Sequence, residues 1–290
     1  MMTTGAVELR VRRIGYLVPG PSFVGTVHSV YARACNVASG GSLLTLVAPG
    51  VADGPTALVL GGDRVVDLRT CFQVRDHVVR RGSRLVTAGA DIDLAGAVSW
   101  QPDATPVIAD PAQVTANLRA AAARLAARPD HNKSVLHREG RAVCARVAQA
   151  CRDCRVDIAL HEAARLIGWG EGLTPAGDDF LVGMLAGLDA LTTGFAVRES
   201  FRTHLSAGLM AHADRTTEIA AHYLRLAAGG HFSADLHRLR NALLSSGDIA
   251  RVGQLADDAL AAGATSGSDQ VAGLLAGISA WLPSLDECSA

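Results

Sequence analysis

Two stretches of this chain carry the same glycine ladder. Laying residues 177–188 on 267–278 gives six identities in twelve positions. In each copy an aspartate is followed by glycine four and eight residues on: Asp179, Gly183, Gly187 and Asp269, Gly273, Gly277. That spacing puts all three on one face of a helix. An internal glycine costs a helix about 1 kcal/mol relative to alanine. The stripe is therefore useful mainly where two backbones come close. The pattern predicts two distant helices packed glycine face to glycine face. If they cross near their amino ends, Asp179, Asp269 and both lead-in loops converge on one pocket. If they run antiparallel with full overlap, those ends separate. Packing alone also accounts for a small-residue stripe of this kind.

The first copy has an elaborate entry, Gly168-Trp169-Gly170-Glu171-Gly172-Leu173-Thr174-Pro175-Ala176-Gly177, with four glycines in ten residues. Glycine permits positive φ and close approach of backbone to a ligand. First-turn amides of a helix attract anions. Asp178 and Asp179 either cap the helix or hold a cation such as Mg²⁺. Asp178, Asp179 and Asp269 are thus the candidate catalytic carboxylates. Gly172, Leu173, Thr174, Pro175 and Gly177 are candidate ligand-binding positions, with Thr265, Ser266 and Gly267 in the second copy. Arg215 and Arg33 are candidate carboxylate clamps. His28, in an apolar strand-like run, is either a core histidine or an acid/base group.

Composition changes near residue 105. Before it, short apolar runs alternate with Gly- and Pro-rich turns. Residues 24–37, 42–47, 57–60, 64–68, 84–87 and 97–100 read as strands, with a helix around 71–79. Absence of long helical patterns between them favours an antiparallel sheet or small barrel. Arg10, Arg12 and Arg13 read as solvated tail residues. After Pro106 the pattern is helical at 111–127, 136–153, 155–167, 178–193, 197–212, 214–228, 232–246, 248–262 and 268–281. Asp214, Ser233, Asp248 and Ser268 stand where caps are needed. The expectation is an α+β protein: a β-rich N-terminal domain over 1–105, then a larger all-helical domain over 106–290.

Charge and composition exclude several classes. With 27 Lys+Arg against 28 Asp+Glu the net charge is −1, which argues against nucleic-acid or anionic-membrane binding. Lys133 is the only lysine, which excludes a P-loop and leaves one Schiff-base candidate. No export signal or membrane-length apolar run is visible, so a cytoplasmic location with reduced cysteines is expected. Cys144, Cys151 and Cys154 share a helix face and read as packing residues, since one C-x-x-C is weak evidence for zinc. Glu218, His222 and His212 lack the further histidine a zincin needs, and His161-Glu162 reads the same way. No G-x-S-x-G nucleophile elbow is present.

The run Gly-x-Gly-x-Gly-Leu-Thr-Pro-x-Gly-Asp-Asp-Phe-Leu-x-Gly at 168–183 resembles the signature of the AllH-like family. The resemblance extends to Gly25-Thr26-Val27-His28-Ser29-Val30-Tyr31, Trp100-Gln101-Pro102 and Thr265-Ser266-Gly267-Ser268-Asp269, and so covers most of the chain. This chain departs from the pattern at Glu171 and Ser268. One branch of that family is assigned as an oxamate carbamoyltransferase subunit. The resemblance implies carbamoyl transfer between oxalurate and phosphate on one side and oxamate and carbamoyl phosphate on the other. It also implies a small anionic metabolite as ligand, with partner transferase subunits or further copies of the chain. No cofactor is expected on that reading. Two alternatives stand beside it: a Mg²⁺-dependent hydrolase using the aspartate cluster, and a non-catalytic anion-binding subunit.

Overall fold

The computed structural model describes residues 6–62, 66–104, 106–129 and 134–282. Lys133, Asp63, Thr105 and the start of the 64–68 run lie outside them. The chain divides into two compact units, Met1–Pro102 and Asp103–Ala290.

The first unit is a barrel. Its strands are β1 (Val7–Gly15), β2 (Ser22–Val30), β3 (Ala34–Ser39), β4 (Ser42–Val47), β5 (Ala57–Leu60), β6 (His77–Arg81), β7 (Arg84–Val86), β8 (Ala90–Asp93) and β9 (Val98–Trp100). Eight run in the order β5-β4-β3-β2-β6-β7-β8-β1, and β1 pairs back onto β5 to close the sheet. The ninth, β9, adds to the end of β1. Closure removes the exposed edges that an open sheet would leave. Val27, Leu44, Leu46, Leu58, Val78, Leu85 and Ile92 fill the inside, with Leu68 and Phe72.

Several sequence expectations are corrected here. Residues 24–37 form two strands, because the chain turns between Val30 and Ala34. The predicted helix at 71–79 is replaced by a short 3-10 turn at Leu68–Thr70 and by β6. Arg10, Arg12 and Arg13 belong to β1, where Arg13 pairs with Asp53 at 2.5 Å. The barrel is also not wholly antiparallel: β1 pairs parallel with β8 and β9, and β4 with β5.

The second unit contains nine α-helices among the described residues: α1 (Pro111–Ala126), α2 (Arg141–Arg152), α3 (Val156–Ala163), α4 (Ala176–Asp189), α5 (Ala196–Met210), α6 (Glu218–Ala228), α7 (Ala234–Ser245), α8 (Ile249–Leu260) and α9 (Ser266–Trp281). Thr217, and not Asp214, caps α6, while Ser233 and Asp248 cap α7 and α8 as expected. Every residue of α4 from Ala176 to Leu188 is buried. That accounts for a helix that is apolar on all sides.

The glycine stripes of α4 and α9 meet. A Cβ on Gly183 would lie 1.9 Å from the Gln270 carbonyl oxygen, and one on Gly273 would lie 2.0 Å from that of Phe180. Gly277 stands likewise against Met184, and Gly187 against Leu274. Residue numbers rise together along both helices, so they run parallel and their amino ends share one side. The contacts also exchange under the repeat: Phe180 against Gly273 becomes Gln270 against Gly183. The pair therefore has an approximate two-fold axis along its length.

Candidate functional site

Each helix start is held from behind by its own glycine. A Cβ at Gly177 would lie 1.9 Å from the Leu166 carbonyl oxygen, and at Gly267 2.4 Å from that of Ala259. The N-caps Pro175 and Thr265 occupy equivalent places in the repeat, and neither caps with its side chain. The first-turn amides are largely satisfied internally. Gly177 donates to the Trp169 carbonyl, and Asp178 and Asp179 donate to Pro175. Gly267 donates to Ala262 and Asp269 to Thr265. The outward-facing amides expected from the sequence are not found at these five positions.

Side chains make the polar centre instead. The hydroxyls of Thr174 and Ser266 lie 2.9 Å apart and join the two lead-in loops. Gln270 Nε2 donates to Asp179 Oδ1 at 2.8 Å, crossing from α9 to α4. Ser134 donates to Asp269 Oδ1 at 2.6 Å. Asp179 and Asp269 are both buried, and the Oδ2 atom of each has no hydrogen-bond partner among the described residues. Burial raises Asp179 to about 6, against the hydrogen bond from Gln270 and the pull of the nearby Ser266 and Thr174 hydroxyls. It raises Asp269 to about 7, and the nearby Asp179 charge adds to the effect. Two such carboxyls change protonation close to neutral pH and can exchange protons with a ligand.

Asp178 neither caps α4 nor leaves an oxygen unmatched. Both its oxygens accept from the Gly168 amide, at 3.3 and 3.1 Å, and Oδ2 also accepts from the Thr216 hydroxyl at 2.6 Å. It ties the glycine loop to the start of α6. Burial still lifts its carboxyl to about 6. The Thr217 hydroxyl fixes the same loop by donating to the Leu173 carbonyl at 2.5 Å. Leu173 is exposed, and Gly172 has open space where a Cβ would go, at φ +94°. Ser134, Thr216 and Gln270 were not singled out from sequence. Gln270 was within reach, since it follows the repeated aspartate. Ser134 lies just before a predicted helix and Thr216 within the stretch read as the start of one, and neither position has a local signal for its long-range partner.

The remaining candidates belong to other elements. His28 is in β2 of the barrel unit, at the bulge where the β2–β3 register shifts, with Nδ1 3.1 Å from the Ser29 hydroxyl. Arg33, also in that unit, reaches the Pro49 carbonyl. Arg215 lines a separate cleft of the helical unit. His222 is buried, and burial pulls it down to about 4. Burial pushes the Cys144 and Cys151 thiols up to about 12, which suits packing and not nucleophilic chemistry. Among the described residues, no group of three His, Cys, Asp or Glu side chains could hold a metal ion. No helix among them is long and apolar enough to cross a membrane.

Two family models match the chain. Residues 9–99 match the AllH family N-terminal domain, and residues 166–278 match a model described as oxamate carbamoyltransferase subunit AllH. No curated protein and no solved structure matches. The second match spans both glycine-faced helices and the loops before them, the first spans the barrel, and the chain belongs to the AllH family.

Proposed function

We propose that this protein is a subunit of a carbamoyl-transferring enzyme, with its reactive centre where the amino ends of α4 and α9 meet. The observation that carries the reading is the pair of buried oxygens, Asp179 Oδ2 and Asp269 Oδ2, that have no partner among the described residues. A buried acceptor without a donor costs roughly 1–3 kcal/mol. Such a cost is recovered when a ligand supplies N–H groups, as a carbamoyl or oxamate amide does. The family description supplies the substrate class.

The proton inventory fits this chemistry. When phosphate attacks the carbamoyl carbon of oxalurate, a carbon–oxygen bond forms and the carbon–nitrogen bond to the oxamate moiety breaks. The attacking phosphate gives up one proton and the leaving nitrogen gains one. Asp179 and Asp269, held near 6 and 7, can take up the first and deliver the second. Thr174 and Ser266 offer hydroxyls to the reacting group. Asp178 is a positioning residue, holding the Gly168 loop. No cofactor is assigned, and partner subunits complete the enzyme.

The test is turnover of the chain assembled with its partner subunits. Asp179→Asn and Asp269→Asn should each lower phosphorolysis of oxalurate by ~10²-fold or more, with an unchanged circular dichroism spectrum. Turnover within twofold of the unaltered protein in both variants would make the chain a non-catalytic subunit. Chelation should leave activity intact, and complete loss that Mg²⁺ restores would favour the hydrolase-like metal site.

A further inference from the structure

The helical unit has a second concave feature, a half-open cleft of about 430 Å³ between α3 and the end of α5. Its construction follows from one glycine. A Cβ on Gly208 would lie 2.3 Å from Leu160 Cδ2, so the two helices approach there and Leu160 nests against α5. Leu160, Ala164 and Ala211 provide an apolar floor. Arg165, Arg215, His161 and His212 also line it, and among the described residues no acidic side chain does. Arg165 is partly neutralised by Glu162 at 3.0 Å, and Glu162 also pairs with Arg146. Among the described residues Arg215 makes no ion pair, and it is exposed. In a chain of net charge −1, a concave patch whose charged lining groups are two arginines attracts anions locally.

The cleft is joined to the carboxylate cluster through the backbone. The Arg215 carbonyl oxygen sits 2.5 Å from where a Cβ of Gly168 would be. The next residue, Thr216, donates to Asp178, as does the Gly168 amide.

We propose that this cleft is a second binding site, for an organic anion with a small apolar body. The acid group meets the Arg215 guanidinium, with Arg165, His161 and His212 around it. The body lies on Leu160, Ala164 and Ala211. This site is independent of the carbamoyl-transfer reading, because it shares no lining residue with the Asp179–Asp269 centre.

Calorimetry on the full chain tests it, with phenyl phosphate and benzoate as probes and inorganic phosphate as the comparison. Binding of one organic probe several-fold tighter than inorganic phosphate is expected, and which one binds tells a phosphoryl from a carboxylate ligand. Arg215→Gln should weaken it at least tenfold. Ala211→Phe, which fills the floor from an exposed position, should do the same. Asp179→Asn should leave it unchanged, whatever that variant does to turnover. No binding of either organic probe at millimolar concentration would overturn the proposal. So would binding that survives both cleft variants, or binding lost in Asp179→Asn but kept in Arg215→Gln.

Discussion

At the scale of single residues, the aspartates matter through their protons. The ordinary value for such a carboxyl is 3.8, and the fold holds Asp179 near 6 and Asp269 near 7. Between pH 4 and 7 the folded chain therefore keeps protons that the unfolded chain has released. The pair's contribution to stability is full below pH 4 and is lost as pH rises through 6 to 7. Urea unfolding followed from pH 5 to pH 8 should show stability falling by on the order of 4 kcal/mol from this source. Asp269→Asn should flatten that slope, and parallel curves for the two proteins would count against the raised values. Asp179 and Asp269 were legible in the sequence because the repeat marks them twice. Their partners were not: Ser134 lies 135 residues from Asp269, and Thr216 lies 38 residues from Asp178. Such hydrogen bonds are created by tertiary packing and leave no local pattern.

At the scale of elements, the glycine ladder was the most informative feature, because a cost of about 1 kcal/mol per glycine needs a return. The return is backbone contact between α4 and α9. Gly183→Ala should gain helix propensity yet destabilise the chain by about 3 kcal/mol or more, because backbone has no room to give. Gly247→Ala, where nothing lies within 4 Å of the new methyl, should change stability by less than about 0.5 kcal/mol. Equal effects of the two substitutions, measured by thermal unfolding, would mean the ladder is not in contact. The nine helices were readable from periodicity, while β1 was not recognised. Its signal was present: Val7, Leu9 and Val11 alternate with Glu8, Arg10 and Arg12. The cluster of arginines resembled a solvated tail, and the alternation beneath it marks a strand. The missed β6 and β8 are short, and they depend on their neighbours in the closed sheet more than on their own composition.

At the scale of the whole molecule, composition separated the β-rich from the helical part near residue 105, and the compact units divide after Pro102. A small barrel was one of the two architectures the sequence favoured, and the pairing that closes it, β1 onto β5 across more than forty residues, was the part it did not mark. What the helical unit achieves is to bring two helix starts, ninety residues apart in the chain, over one pair of buried carboxyls. Cross-linking tests that most directly. With Thr174→Cys and Ser266→Cys in one chain, mild oxidation should give a single intramolecular disulfide, since the native hydroxyls lie 2.9 Å apart. Peptide mapping by mass spectrometry should find the 174 and 266 peptides joined. Monomeric chains in which those two thiols stay separate after full oxidation would contradict the convergence on which the site depends.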